Sequence, residues 1–79
     1  MLKLVFLGRL EEAAGAGERE VAPAERLGDV LAGLEPELAA ALRDDRVRLA
    51  LNGELVRNGA SLVLHDGDEL AFLPPVSGG

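Results

Sequence analysis

An α+β domain, with helices laid on one face of a mixed sheet, is the fold class that this sequence predicts, and three observations carry it. The run LKLVFLG at residues 2–8 reads as a buried strand, and VRLALNGELV at residues 47–56 reads as a hairpin. Between them Leu27, Val30, Leu31 and Leu34 fall at i, i+3, i+4 and i+7, the spacing that puts them on one face of a helix. Strands at both ends of the chain with helical periodicity between them suit helices packed on one side of a sheet.

Each element has its local reason. Gly8 closes the first strand, and RLEEAAGAG reads as a short helical turn ending in Gly15 and Gly17. EREVA supplies a second strand that Pro23 stops. After the Leu27 helix, Pro36 stands where a first helical turn accepts proline, since the missing N–H would have no partner there. Glu35 and Glu37 suit the positive end of that helix, Leu38 and Leu42 share a face, and Asp44-Asp45 marks its end. Val47, Leu49 and Leu51 alternate with Arg48 and Ala50, and Asn52-Gly53 offers the two positive-φ positions of a tight hairpin turn. Residues 47–51 and 54–56 are therefore expected to be antiparallel neighbours. Turn signals at Asn58-Gly59 and Asp66-Gly67 lead to a last strand over residues 69–73. A first hairpin, a crossing helix and a final strand returning to the sheet is the order of the β-grasp, or ubiquitin-like, fold. The reading divides the chain into a domain at 1–73 and a tail at 74–79.

Composition narrows the chemistry. Seventy-nine residues make one domain with a small core, and its apolar residues are mostly Leu, Ala and Val, with Phe6 and Phe72 the two aromatics. There is no cysteine, so no disulfide framework and no thiolate nucleophile, as suits a reducing cytoplasm. The single histidine, His65, rules out a multi-histidine metal cage, and beside Asp66-Gly67 it reads as an exposed turn residue. A net charge of −6, with seven of the eight basic residues being arginine, disfavours nucleic acid and anionic membranes as partners. The first twelve residues hold an apolar run of only four, from Leu4 to Leu7, too short for a secretory signal or a bilayer span. A cytoplasmic location is the expectation.

The most informative stretch is the end, FLPPVSGG. Pro74-Pro75 lacks N–H donors and favours an extended path, so it ends strand pairing and aims the chain outward. Glycine allows close backbone approach, and Gly78-Gly79 could enter a narrow tunnel. From residue 74 to 79 an extended path at about 3.3 Å per residue reaches roughly 20 Å. A terminus of small residues is also what an ordinary frayed end looks like. The strand directly before it, the outward Pro-Pro and the closing Gly-Gly together favour a working part.

Strand alternation adds a surface. Leu2, Leu4 and Phe6 form one set and Lys3, Val5 and Leu7 the other; in the last strand Leu70 and Phe72 oppose Glu69, Ala71 and Leu73. The sets holding Lys3 and Glu69 should face away from the helices, yet Val5, Leu7, Ala71 and Leu73 make that face apolar. With Leu55 beside the Asn-Gly turn they form a candidate partner-binding patch at the root of the tail. Cover by a loop or by the first helical turn is the alternative.

The stretches HDGDELAFLPPVSGG and LKLVFLGRLEEAAG resemble the small subunits of molybdopterin synthase along the whole length of the chain, although Leu73 stands where the family often carries Phe. The resemblance implies a sulfur carrier within a heterotetramer. Gly79, preceded by Gly78, would be adenylated by a ubiquitin-activating-like adenylyltransferase at the expense of ATP, then converted to a thiocarboxylate with sulfur from a donor protein. The large synthase subunit would receive the tail, and the sulfur would pass to cyclic pyranopterin monophosphate in molybdenum cofactor biosynthesis. Val5, Leu7, Leu55, Leu73, Pro74, Pro75 and Val76 are the expected partner-binding residues. No bound cofactor and no metal site are expected. A carrier for thiazole synthesis or tRNA thiolation, a ubiquitin-like protein modifier and a non-covalent adaptor remain as other readings.

Overall fold

The computed structural model describes residues 1–75. Its elements run β1 (Leu2–Phe6), α1 (Arg9–Ala14), β2 (Glu18–Val21), α2 (Leu27–Ala32), α3 (Pro36–Leu42), β3 (Arg48–Leu51), β4 (Glu54–Val56), a 3-10 turn (Gly59–Ser61) and β5 (Glu69–Leu73). The strands form one sheet in the order β2-β1-β5-β3-β4. β1 is parallel to β5 and antiparallel to β2, while β3 is antiparallel to both β4 and β5. This is the β-grasp topology.

The core forms where the alternating apolar sets meet the helices. Leu2, Leu4, Phe6, Leu49, Leu70 and Phe72 project from the sheet onto Leu10, Val30, Leu31, Leu38 and Leu42, all buried. Phe6 and Phe72 lie opposite each other in the parallel pair and stack with ring centroids 5.6 Å apart. Arg19 of β2 points to the same side. Its guanidinium donates to both carboxylate oxygens of Glu35, at 2.9 and 3.1 Å, and to the Ala14 carbonyl at 3.0 Å. That fork ties an outer strand to the end of α1 and the start of α3, and hydrogen bonding to Arg19 lowers the pKa of the Glu35 carboxyl.

The element ends differ from the sequence reading in small ways. β1 stops at Phe6, because Gly8 takes φ 55° and turns the chain into α1. The apolar periodicity that reaches Leu34 outlasts its helix. α2 ends at Ala32, and Leu34 is buried from the turn that follows. The hairpin turn has the expected backbone, with Asn52 at φ 49° and Gly53 at φ 87°.

The Asn52 side chain also reaches across to the entry of β5, a link that turn propensity does not foretell. It donates to Asp68 Oδ1 at 3.0 Å and accepts from the Glu69 N–H at 2.9 Å. Asp68 Oδ2 accepts from the His65 N–H at 2.8 Å. The Asp68 carboxyl is thereby held below its ordinary pKa, first by the hydrogen bond from Asn52 and then by that from His65.

Candidate functional site

Parallel pairing of β1 with β5 decides where the tail begins. Both strands run the same way, so their C-terminal ends lie side by side, and the Leu7 N–H donates to the Phe72 carbonyl at 3.1 Å. Pro74 therefore leaves the sheet beside Gly8. The approach is so close that a Cβ on Gly8 would stand 2.9 Å from Pro74 Cγ. On the other flank Pro74 and Pro75 border a shallow cleft of about 290 Å³ with Asp45, Arg46 and Arg48. Arg46 is engaged there by Asp44, whose carboxyl accepts from Nε at 3.2 Å, from Nη2 at 2.9 Å and from the backbone N–H at 2.9 Å. These bonds bring the Asp44 pKa down to about 2.

The sheet face away from the helices is organised in rows by the strand register. Its middle row is Glu18, Val5, Ala71, Ala50 and Leu55, each paired with the next across neighbouring strands. Leu7, Leu73 and Arg48 make the row nearest the tail, with Leu73 opposite Arg48. Lys3, paired with Glu20 on one side and Glu69 on the other, makes the far row. The Lys3 ammonium lies 3.1 Å from Glu18 and 3.7 Å from Glu69, and hydrogen bonding to Glu18 is the leading cause of its raised pKa. The face thus has an apolar centre, an acid-rich far end and a basic residue beside the root of the tail.

Leu55 is 70% exposed and Leu7 42%. Val5, Leu73, Pro74 and Pro75 are half-buried, so part of the surface of each already packs within the domain. Among the described residues no helix or loop of this chain buries the patch. Val76, Gly78 and Gly79 lie outside the described residues. Sequence reasoning missed Gly8 as part of the tail's root. Its only local signal was an abrupt glycine at the end of a strand, and Pro74, its neighbour in space, is 66 positions away along the chain. His65 lies before β5, at the other end of that strand from Pro74, with its side chain 77% exposed. Among the described residues no group of three His, Asp or Glu side chains could hold a metal ion, and no helix is long and apolar enough to cross a membrane.

Comparison with known proteins agrees with this geometry. The family model described as the ThiS family matches residues 4–79. The molybdopterin synthase sulfur carrier subunit of Escherichia coli K12 is 37% identical over 83 aligned positions, covering the whole of both chains. Its counterpart in Chlamydomonas reinhardtii is 34% identical, over 99% of this chain and 98% of the relative. Among solved structures, small archaeal modifier protein 1 of Methanosarcina acetivorans superposes with a TM-score of 0.77 at 30% identity, over 99% of this chain and 95% of that one. A chain of the complex of subunits 1 and 2 of the molybdopterin-converting factor from Helicobacter pylori gives a TM-score of 0.66 at 25% identity, over 99% and 97%. By a match that runs from the middle of β1 to the final glycine, and by full-length identity to molybdopterin synthase sulfur carrier subunits, the chain belongs to the ThiS family.

Proposed function

We propose that this chain is the sulfur carrier subunit of a molybdopterin synthase, with the Gly79 carboxylate as its working group and the open sheet face as its docking surface. The observation that carries the reading is that the root of the tail borders the open apolar sheet face, with Leu7 and Leu73 in the row nearest to it and Leu55 one row further in. A partner that covers Leu7, Leu73 and Leu55 stands where residues 76–79 can reach it.

The chemistry needs no catalytic side chain from the carrier. A carboxylate resists nucleophiles because its charge is shared over both oxygens, so it must first be activated. Attack of the Gly79 carboxylate on the α-phosphorus of ATP, within an adenylyltransferase, releases pyrophosphate and forms an acyl-adenylate. The terminal sulfur of a donor persulfide then adds to that carbonyl and AMP leaves, giving an acyl disulfide. A thiol attacks the donor's sulfur, the S–S bond breaks to leave a mixed disulfide on the donor, and the chain ends in a thiocarboxylate. Presented to a large synthase subunit, its sulfur is transferred to cyclic pyranopterin monophosphate. The pairing of subunits in the Helicobacter pylori structure supports a large-subunit partner for this chain.

Intact-mass analysis of the chain from its native cells, with and without Gly79, tests the proposal. The full chain should carry one sulfur in place of one oxygen on its C-terminal peptide, and the chain lacking Gly79 should fold but take up none. Sulfur uptake by the shortened chain would refute it.

A second reading is favoured by the structural likeness to archaeal modifier proteins. In that case Gly79 would form an isopeptide bond with a lysine of a target protein. Peptide mapping separates the two, since a modifier leaves branched peptides and a carrier leaves a free thiocarboxylate.

A further inference from the structure

We infer that Gly8 is a positioning residue for the terminal tail, acting through the ring of Pro74; this rests on the carrier reading, in which the tail must deliver its last carbonyl to a partner's active site. Two independent features single Gly8 out. Its backbone takes φ 55° and ψ −134°, a conformation that residues with a Cβ avoid. The place where an L-Cβ would stand is already filled by Pro74, with Cγ at 2.9 Å, Cδ at 3.7 Å and Cβ at 3.9 Å. Carbon atoms rest at about 3.5–4.0 Å, so the pyrrolidine ring lies directly on the bare Cα.

Gly8 cannot readily withdraw from that contact. The preceding Leu7 N–H is bonded to Phe72, and the Gly8 carbonyl accepts from the Glu11 N–H at 3.1 Å as α1 begins. A methyl group added at residue 8 strains this backbone and also meets the Pro74 ring, and with the bonds on either side of Gly8 in place the ring is the part that must shift to clear it. Proline has a fixed φ near −65°, so the orientation of its ring sets the direction in which the chain leaves the sheet. Asp45, Arg46 and Arg48 border the same prolines on the other flank. The tail thus starts from a seat with two walls, and Gly8 is the wall that has to be bare.

A double-mutant cycle on the full-length chain tests this, using pre-formed thiocarboxylate and the large synthase subunit. Gly8→Ala should lower the single-turnover sulfur-transfer rate roughly tenfold or more, because a misplacement of about 1 Å at a reacting centre can cost about a hundredfold. Binding to the large subunit should change by no more than about threefold, since the apolar rows remain in place. Pro74→Ala removes Cγ and Cδ and with them the seat, so it too should slow transfer. The double variant should be no slower than the worse single one, the non-additivity expected of residues in contact. Pro74 follows the last strand, so Pro74→Ala keeps the test open if Gly8→Ala does not fold. Residual dipolar couplings of the Cα–Hα bonds at residues 74 and 75 read the direction in which the chain leaves the sheet without any sulfur chemistry, and stand whether or not the carrier reading holds. They should differ between the native chain and Gly8→Ala, and the difference should shrink in the Pro74→Ala background, where only Cβ remains near residue 8. Unchanged transfer in Gly8→Ala or in Pro74→Ala, additive losses in the cycle, or couplings unmoved by Gly8→Ala would each overturn the inference.

Discussion

Leu7→Glu separates the docking face from the core, and the structure sets the size of each effect. Leu7 keeps 42% of its surface exposed, whereas Leu4, three residues earlier on the opposite face, keeps none. Full burial of a leucine is worth about 1.5–3 kcal/mol. Leu7 realises only part of that, and the methylenes of glutamate retain some of its packing, so the substitution should cost about 1 kcal/mol of stability. In a domain this small that lowers the melting temperature by about 4–8 °C. Leu4→Glu removes a whole buried leucine and strands a carboxylate among Phe6, Leu70 and Phe72. Leu→Ala alone costs about 2–5 kcal/mol in such sites, and an unpaired buried charge adds several more. A chain of 79 residues has about 4–12 kcal/mol in total, so Leu4→Glu should abolish the cooperative transition.

Against the large subunit the order reverses in interest. Leu7→Glu should weaken binding by about 2 kcal/mol or more, roughly thirtyfold in Kd, since a charge is driven into a desolvated contact. Calorimetric titration and thermal unfolding on the same samples make the comparison. An unchanged Kd, or a stability loss approaching that of Leu4→Glu, would refute the assignment of Leu7 to an open docking surface. Leu73 is a weaker probe, because it is already half-buried within the sheet.

Two further predictions address the opposite end of the sheet. Asp68 has a lowered pKa in the folded state, so the stability it contributes is whole above the ordinary carboxylate value of about 3.9 and drains away as pH falls through its own lower one. Asp68→Asn should therefore destabilise the protein at pH 7, and the gap between variant and native protein should narrow steadily as pH falls below the ordinary carboxylate range, as read by denaturant titrations across that range; a gap that does not narrow in acid would point to lost geometry rather than lost charge. His65→Ala should leave single-turnover sulfur transfer within a few-fold of the native rate, because His65 is exposed and lies at the end of β5 away from Pro74. A hundredfold loss would mean that the imidazole acts as a general base and that the terminus does not carry all the chemistry.

Local chemistry was legible in the sequence wherever a short stretch decides its own conformation. The alternation of Leu2, Leu4 and Phe6 with Lys3, Val5 and Leu7 assigned two faces to β1, because side chains alternate in any strand whatever it pairs with. Asn52-Gly53 determined its own turn, because these residues accept the left-handed backbone that a tight hairpin requires. Alternation gives a residue its face but not its neighbour, and neighbours were decided by tertiary structure. The row Val5, Ala71, Ala50 and Leu55 exists only because β5 inserts between β1 and β3 in one register. The fork from Arg19 to Glu35 and the link from Asn52 to Asp68 join residues 16 positions apart, across turns whose paths no local propensity sets. The seat of Pro74 on Gly8 follows from the parallel run of the first and last strands, which sets their C-terminal ends together and lets a bare Cα at one end of the chain receive the proline that begins the tail at the other.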